Sequence, residues 1–388
     1  MNSQRVRRVI AASMLVAACT GSPTPSTPTA APPAASGSQG PATPGTATAS
    51  PFNAEEHFRG QTITFVSTSS PGGGVDLIGR LVASHIGSFI PGQPHVAATN
   101  LERIGAMNYV FNGPPDGFNV LNVGGLDSSL SRQLLPESEY DVRETQLIGV
   151  FAPEPGTFII DGQLPFTNLE DAAGNSAATL RYAASVGTAE ELQGPRLVFS
   201  WLCSRLELSC EMIKVGEDDS VTLGLMLERG EINIFDSPLI TAVRLNSAEF
   251  ESGTRRFFAM FDSNPDVEAS IPDTIVLPPS IESVLDEAQT QEWETLLEPA
   301  VSSILGKHYW VGPDVPEEIV AIEREAFDTM MADEDIAESF ATANGSELFQ
   351  MPTDEATTRM LEAANAFLSN IDAYSALQQE LWDEYWAD

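Results

Sequence analysis

The sequence predicts an α/β fold with largely parallel sheets and a helical C-terminus, on three observations. Short β-branched and aromatic runs alternate with segments of helical apolar spacing between positions 62 and 261. The first run leads through a glycine loop straight into a helical segment. From Pro316 onward the pattern turns helical throughout.

Taken in order, the run 62–66 ends in Ser69-Ser70-Pro71-Gly72-Gly73-Gly74, and Leu77, Ile78, Leu81 and Val82 follow at helical spacing. Glycines let a backbone approach a ligand closely, and a helix starting there presents unpaired N–H groups and the positive end of its dipole. Those groups favour an anion. Further strand-like runs occur at 95–98, 119–123, 146–151, 157–160, 180–184, 211–215, 232–235 and 256–261. Helix-like segments at 104–111, 192–206, 220–228 and 239–246 lie between many of them, and 317–332, 334–343, 353–371 and 374–386 form the helical end. No repeat of fixed period is present.

Arg5, Arg7 and Arg8 precede an apolar run, 9–18, far shorter than the ~20 residues needed to cross a bilayer, so residues 1–18 read as a signal peptide. The run ends Val16-Ala17-Ala18-Cys19, which resembles the lipobox of bacterial lipoproteins, where the cysteine is lipidated and becomes the mature N-terminus. An ordinary signal peptide that happens to contain a cysteine is the alternative. Positions 20–50 hold Ala, Pro, Ser, Thr or Gly everywhere except Gln39, so 19–52 reads as a disordered tether holding a domain off a membrane surface. The rest is long enough for two packed domains, and it contains no run of 18 apolar residues, so a soluble extracytoplasmic body is expected, held to the membrane by lipid at Cys19.

Fifty-five acidic residues against 19 basic ones give a net charge of −36. That balance excludes a nucleic-acid partner, which needs a basic face, and it opposes steering of anions by the global field. Cys203 and Cys210 sit where an exported protein keeps disulfides, across a predicted helix end and the next strand; a bridge and two buried free thiols are both open.

Enzyme signatures are missing. Gly72-Gly73-Gly74 does not extend to a dinucleotide fingerprint, because position 77 is leucine, and neither a Walker A sequence nor a nucleophile elbow occurs. His57, His85, His95 and His308 lack metal spacing and read as surface or loop residues. Asp218-Asp219 and Asp333-Glu334-Asp335 read as solvated faces or helix-start charges. No catalytic residue, metal or cofactor is expected.

Several motifs in order fit one family. Phe58 to Phe65, then Ser70 to Asp76 and Arg80 to Ala83, resemble the start of the extracytoplasmic solute receptors of tripartite tricarboxylate transporters, the Bug-type or TctC-like substrate-binding proteins. Pro94-x-Val96, Asn100, Asn108-Tyr109, Pro114 to Phe118, Arg181 to Thr188, the stretch around Arg229-Gly230-Glu231, and Trp310-Val311-Gly312-Pro313 follow the family's order and spacing over nearly all of 56–372.

The resemblance implies a two-lobed periplasmic-binding-protein (Venus flytrap) fold, with two α/β lobes joined by crossover strands. Lobe one would be 56–151 and 258–388, and lobe two 152–257. It implies a monomeric receptor, not an enzyme, that captures a small carboxylate and delivers it to integral-membrane transporter subunits; a ligand-sensing lipoprotein that reports to a signalling partner is the alternative.

In the implied cleft, backbone N–H groups of Gly72, Gly73 and Gly74 would hold a carboxylate with a hydroxyl from Ser69 or Ser70, and Ser185, Gly187 and Thr188 would close on it from the opposing lobe. Asp76 either supports the first helical turn with Arg80 or touches ligand. Gly124 and Gly125 border the pocket or make a plain strand-to-helix turn. Asp236 holds a ligand hydroxyl or amine, or it starts a helix. Trp310 packs in the core or at the hinge, or against ligand. Two departures stand out: Leu101 to Ala106 replaces a glycine-rich segment, and Glu190 and Glu191 stand near the place where members often carry Ser or His. Carboxylates there would repel a polyanion, which favours a monocarboxylate, or a ligand with an amine or hydroxyls, over citrate.

Overall fold

A computed structural model describes residues 52–387, apart from Ser70, 126–129, 152–153, Glu217, Asp219, Asp262, 302–304 and 345–348. The expected signal peptide, Cys19, the tether as far as residue 51, and Ser70 lie outside the described residues.

Strands form where β-branched and aromatic residues concentrate, and most are buried along their length because helices cover the sheet faces. In chain order they are β1 Thr62–Ser67, β2 His95–Asn100, β3 Asn119–Val123, β4 Gln146–Val150, β5 Gly156–Asp161, β6 Leu180–Ala184, β7 Cys210–Lys214, β8 Ile234–Pro238, β9 Arg255–Met260 and β10 His308–Val311. They build two five-stranded sheets, ordered β2-β1-β3-β10-β4 and β7-β6-β8-β5-β9. The fold is α/β with two lobes, one around each sheet.

The sheets are mixed rather than largely parallel. β1 runs parallel to β2 and β3, and β6 runs parallel to β7 and β8. β10 lies antiparallel to both β3 and β4, and β5 lies antiparallel to both β8 and β9. These two strands begin where the chain has crossed from one sheet to the other, and each enters its new sheet against the direction of its neighbours. The strand β10 leaves no mark in the sequence, because it is four residues long and fully buried, with no polar alternation. Trp310 lies in it, buried in the core. So does His308, which is wholly buried rather than at a surface or in a loop; burial lowers its pKa to about 4 and keeps it neutral.

Helix α1, Gly74–His85, packs on the first sheet through Ile78 and Val82. It comes so close to β3 that a Cβ at Gly79 would lie 1.9 Å from Nδ2 of Asn122, so only glycine fits there. Helices α2, Arg103–Phe111, and α3, Pro195–Arg205, follow β2 and β6. Cys203 near the end of α3 and Cys210 at the start of β7 are joined by a disulfide. Helices α4, Ser220–Glu228, and α5, Leu239–Ser252, flank β8.

The C-terminal helices are α6 Glu317–Met331, α7 Glu334–Asn344, α8 Thr353–Ser369 and α9 Ile371–Tyr385. α6 packs on β4, whereas α9 packs on α3, where Trp386 Nε1 donates to Ser200 Oγ at 2.9 Å. One apolar core runs on between the lobes, joining Leu121 and Trp310 of the first sheet to Phe158 and Tyr182 of the second. Two features differ from the division implied by resemblance: position 258 falls inside β9, a strand of the second sheet, and the chain's last helix rests on the second lobe.

Candidate functional site

The carboxyl ends of β1 and β6 carry the two loops expected to hold a ligand. In the first loop, Gly72 adopts φ +85°, which favours glycine, and its N–H donates to Asp76 Oδ2 at 2.8 Å. Arg80 Nε donates to the same oxygen at 2.9 Å, and Asn100 Nδ2 donates to Asp76 Oδ1 at 2.8 Å. Asn100 also donates to the Ser69 carbonyl at 2.8 Å and accepts from Arg80 at 2.6 Å. Asp76 is 2 % exposed. Burial alone would raise its pKa, but Arg80, the Gly72 amide and Asn100 outweigh that and hold it below the ordinary value. Its carboxylate therefore fastens the loop to the helix. Ser69 Oγ lies 3.2 Å from Ser67 Oγ, inside the same network. Gly73 is the N-cap of α1 at φ −66°, with no side-chain cap, and Gly74 faces the second lobe: a Cβ placed on it would lie 3.7 Å from Thr241 Oγ1 in α5.

The second loop is built the same way from different parts. The Ser185 amide donates to Asp218 Oδ2 at 3.0 Å, and the Gly187 amide donates to Glu191 Oε2 at 2.6 Å. Thr188 is exposed and precedes the turn Ala189–Glu191 without capping it. Asp218 also accepts from Arg196 Nε at 2.7 Å. The pair Asp218-Asp219 reads in sequence as a solvated face or as helix-start charges; Asp218 stands two residues before α4 and faces the cleft, locked to α3 by Arg196, and Asp219 lies outside the described residues.

Behind this loop, Tyr182 Oη donates to Asp236 Oδ1 at 2.6 Å. Burial pushes the Asp236 pKa up to about 6, with nearby Asp218 adding to the rise and Tyr182 and Arg196 opposing it. Burial disfavours charge on Arg196, but Asp218, Tyr182 and Asp236 together hold it protonated. Asp236 sits within β8, paired in register with Phe158, because the strand runs on to Pro238 and the helix starts only at Leu239. Gly124 and Gly125 follow β3, whose last residue pairs with His308.

Between the lobes lies a cavity of about 350 Å³. The first lobe contributes Glu102, Arg103, Ile104, Arg132, Leu135 and Glu137 to its wall, and the second contributes Ser185, Glu191, Gln193, Arg196, Gly216 and Asp218. Of the residues expected to touch a ligand, the described wall includes Ser185 and none of Ser69, Gly72, Gly73, Gly74, Asp76, Gly124, Gly125, Gly187, Thr188 or Asp236. Two signals in the sequence did point here: the altered segment 101–106, which supplies Glu102 to Ile104, and Glu191. Glu102 also caps α2 by accepting from the Gly105 amide at 3.2 Å. Arg132, Gln193 and Arg196 carried no sequence signal, because a single arginine or glutamine has no distinctive spacing.

Gln193 links the two walls. Its Nε2 donates to the Ser131 carbonyl of the first lobe at 3.1 Å and to the Glu190 carbonyl at 2.5 Å. Gln378 of α9 donates to the Leu192 carbonyl at 2.9 Å, so the C-terminal helix supports the same turn. Among the described residues no group of His, Cys, Asp and Glu could hold a metal ion, and no helix is long and apolar enough to cross a membrane.

No protein-family model matches the chain, and no curated protein does. Solved structures do. A TctC solute-binding protein from Polaromonas superposes with a TM-score of 0.56 at 15% identity, covering 81% of this chain and 98% of that one. The periplasmic binding protein BugD gives 0.54 at 17%, covering 84% and 97%. MatC from Rhodopseudomonas palustris, with bound malate, gives 0.57 at 17%, covering 82% and 99%. The chain has the two-lobed α/β fold of the TctC- and Bug-type periplasmic solute-binding proteins.

Proposed function

We propose that this protein is a lipid-anchored extracytoplasmic receptor that captures a small organic carboxylate in the cleft and delivers it to a membrane transporter of the tripartite tricarboxylate type. The observation that carries the reading is the cavity between the lobes, walled from both sides and carrying Arg103, Arg132 and Arg196. Guanidinium groups recognise carboxylates in bidentate fashion, and a site shared by two lobes lets a ligand favour their closure. The malate bound by a protein of the same fold supports the choice of ligand class. The cavity suits a molecule of a few carbons. The lipid anchor rests on the sequence Val16-Ala17-Ala18-Cys19. Among the described residues of the site no nucleophile is paired with a base, and binding without turnover is the role that fits.

A thermal-shift screen of organic acids tests the reading, since a ligand that binds only the folded state raises the melting temperature. At least one small carboxylate should raise it by several degrees, on the order of 1–2 kcal/mol of binding linkage. If none does so for the folded protein, the carboxylate assignment is wrong. The glycine loop gets its own test in Gly73→Val. The backbone there is one that valine can adopt, so binding should collapse with little change in melting temperature if that N-terminus takes part. Unchanged affinity would confine ligand contact to the described cavity wall.

A further inference from the structure

The second loop holds a built-in competitor for the ligand. Resting on the carboxylate reading above, we propose that Glu191 is the selectivity residue of the cleft: it holds the Gly187 amide in the ligand's absence, yields that amide to the ligand's carboxylate, and remains beside it as a fixed negative charge. Such a site takes a monocarboxylate bearing an ammonium group in preference to a dicarboxylate.

The argument starts from how differently the chain's own carboxylates are held. Asp76 is buried and accepts from an amide, a guanidinium and a carboxamide, so it cannot leave. Asp218 accepts from the Ser185 amide and from Arg196. Glu191 is exposed, is part of the cavity wall, and holds the Gly187 amide through one oxygen at 2.6 Å. A side chain on a single hydrogen bond at the edge of a cavity is the one a ligand can displace.

Displacement does not remove the charge. The backbone keeps Glu191 four residues from Gly187, and Glu102 and Glu137 add negative charge on the facing wall. A second carboxylate on the ligand meets these groups as a like charge in a partly desolvated space, whereas an ammonium meets them as an opposite one. Arg103, Arg132 and Arg196 also stand in the wall, Arg196 paired to Asp218.

Calorimetric titration with 4-aminobutyrate, butyrate and succinate tests this. These three acids share a carboxylate and a short aliphatic chain and differ in the group at the far end: ammonium, methyl or carboxylate. The wild-type protein should bind them in that order, tightest first. Glu191→Gln keeps the reach and an acceptor for the Gly187 amide but removes the charge, and it should narrow the affinity ratio of 4-aminobutyrate to succinate by about tenfold. Glu191→Ala frees the amide altogether and should strengthen butyrate binding as well as narrowing the ratio. Succinate binding as tightly as 4-aminobutyrate to the wild type, or an unchanged ratio in both variants, overturns the role of Glu191 and leaves the carboxylate receptor standing. Failure of the folded wild type and both variants to bind any of the three at millimolar concentration counts against the carboxylate site itself, and Glu191 falls with it.

Discussion

The loops after β1 and β6 occupy matching places in the two lobes, and both present backbone N–H groups to a carboxylate from their own chain. In the first lobe that carboxylate is Asp76, buried, with donors from Gly72, Arg80 and Asn100. In the second there are two: Asp218, locked to Arg196, takes the Ser185 amide, and Glu191, exposed, takes the Gly187 amide. The first loop is fastened shut, whereas the second is fastened at Ser185 and held by a removable catch at Gly187. The contrast teaches that an anion-friendly loop does not by itself locate a ligand: what matters is how firmly the chain has already satisfied its donors.

The largest expected effect breaks the first loop. Asp76→Asn leaves Arg80 and the Gly72 amide facing a group that cannot accept as a charge, and it should cost about 3 kcal/mol in urea unfolding at pH 7. Because the folded pKa of Asp76 lies below its ordinary value, its contribution is complete above the unfolded range and disappears as pH falls through the folded value. The variant and wild type should therefore converge as pH falls below the ordinary aspartate range. Glu191→Gln, measured alongside, should stay within about 0.5 kcal/mol of wild type. Equal losses for the two variants would erase the distinction between the loops.

A smaller effect is expected from the network behind the second loop. Asp236 has a folded pKa of about 6, above the ordinary aspartate value, so the folded state keeps its proton longer than the unfolded state. Stability should therefore fall as pH rises from about 4 to about 6 on account of this group. Asp236→Asn removes that ionisation while retaining a partner for Tyr182. Its stability relative to wild type should improve on the order of 2 kcal/mol between pH 4 and pH 7. A difference that stays flat with pH would mean that Asp236 ionises freely and that the second loop has no buried support to contrast with Asp76.

Much of the architecture was legible in the sequence because strands and helices here follow local rules. The runs at 119–123 and 180–184 coincide with β3 and β6, and Ser220–Glu228 is α4 residue for residue. What failed were features set by tertiary partners. β10 and β5 take their antiparallel direction from chain crossings that leave no local pattern, and Asp236 became part of a strand because β5 pairs with it as far as Pro238. The site shows the same divide. The glycine loop was visible because glycine has conformational meaning at Gly72, yet Asp76 had already taken its amide. Glu191 was visible as a misplaced charge. Gln193, which spans the cleft, looks in sequence like any polar residue before a proline helix start.

The smallest effect belongs to Gln193, and it asks whether the second loop is merely a weaker copy of the first or the moving half of a clamp. Gln193 donates across the cleft to Ser131 and within its own turn to Glu190, whereas Gln378 of α9 donates to the Leu192 carbonyl of the same turn. Removing one such hydrogen bond costs about 1 kcal/mol. If the bond to Ser131 forms with closure, Gln193→Ala should weaken carboxylate binding about fivefold, while the ligand-free melting temperature falls only by the share of its bond to Glu190. Gln378→Ala should do the reverse, lowering the melting temperature with little change in affinity, since its bonds lie within one lobe. Calorimetry and melting curves on both variants separate the cases. A Gln193→Ala variant that melts early and binds normally would make this contact part of a fixed interface, and the second loop would then be as static as the first.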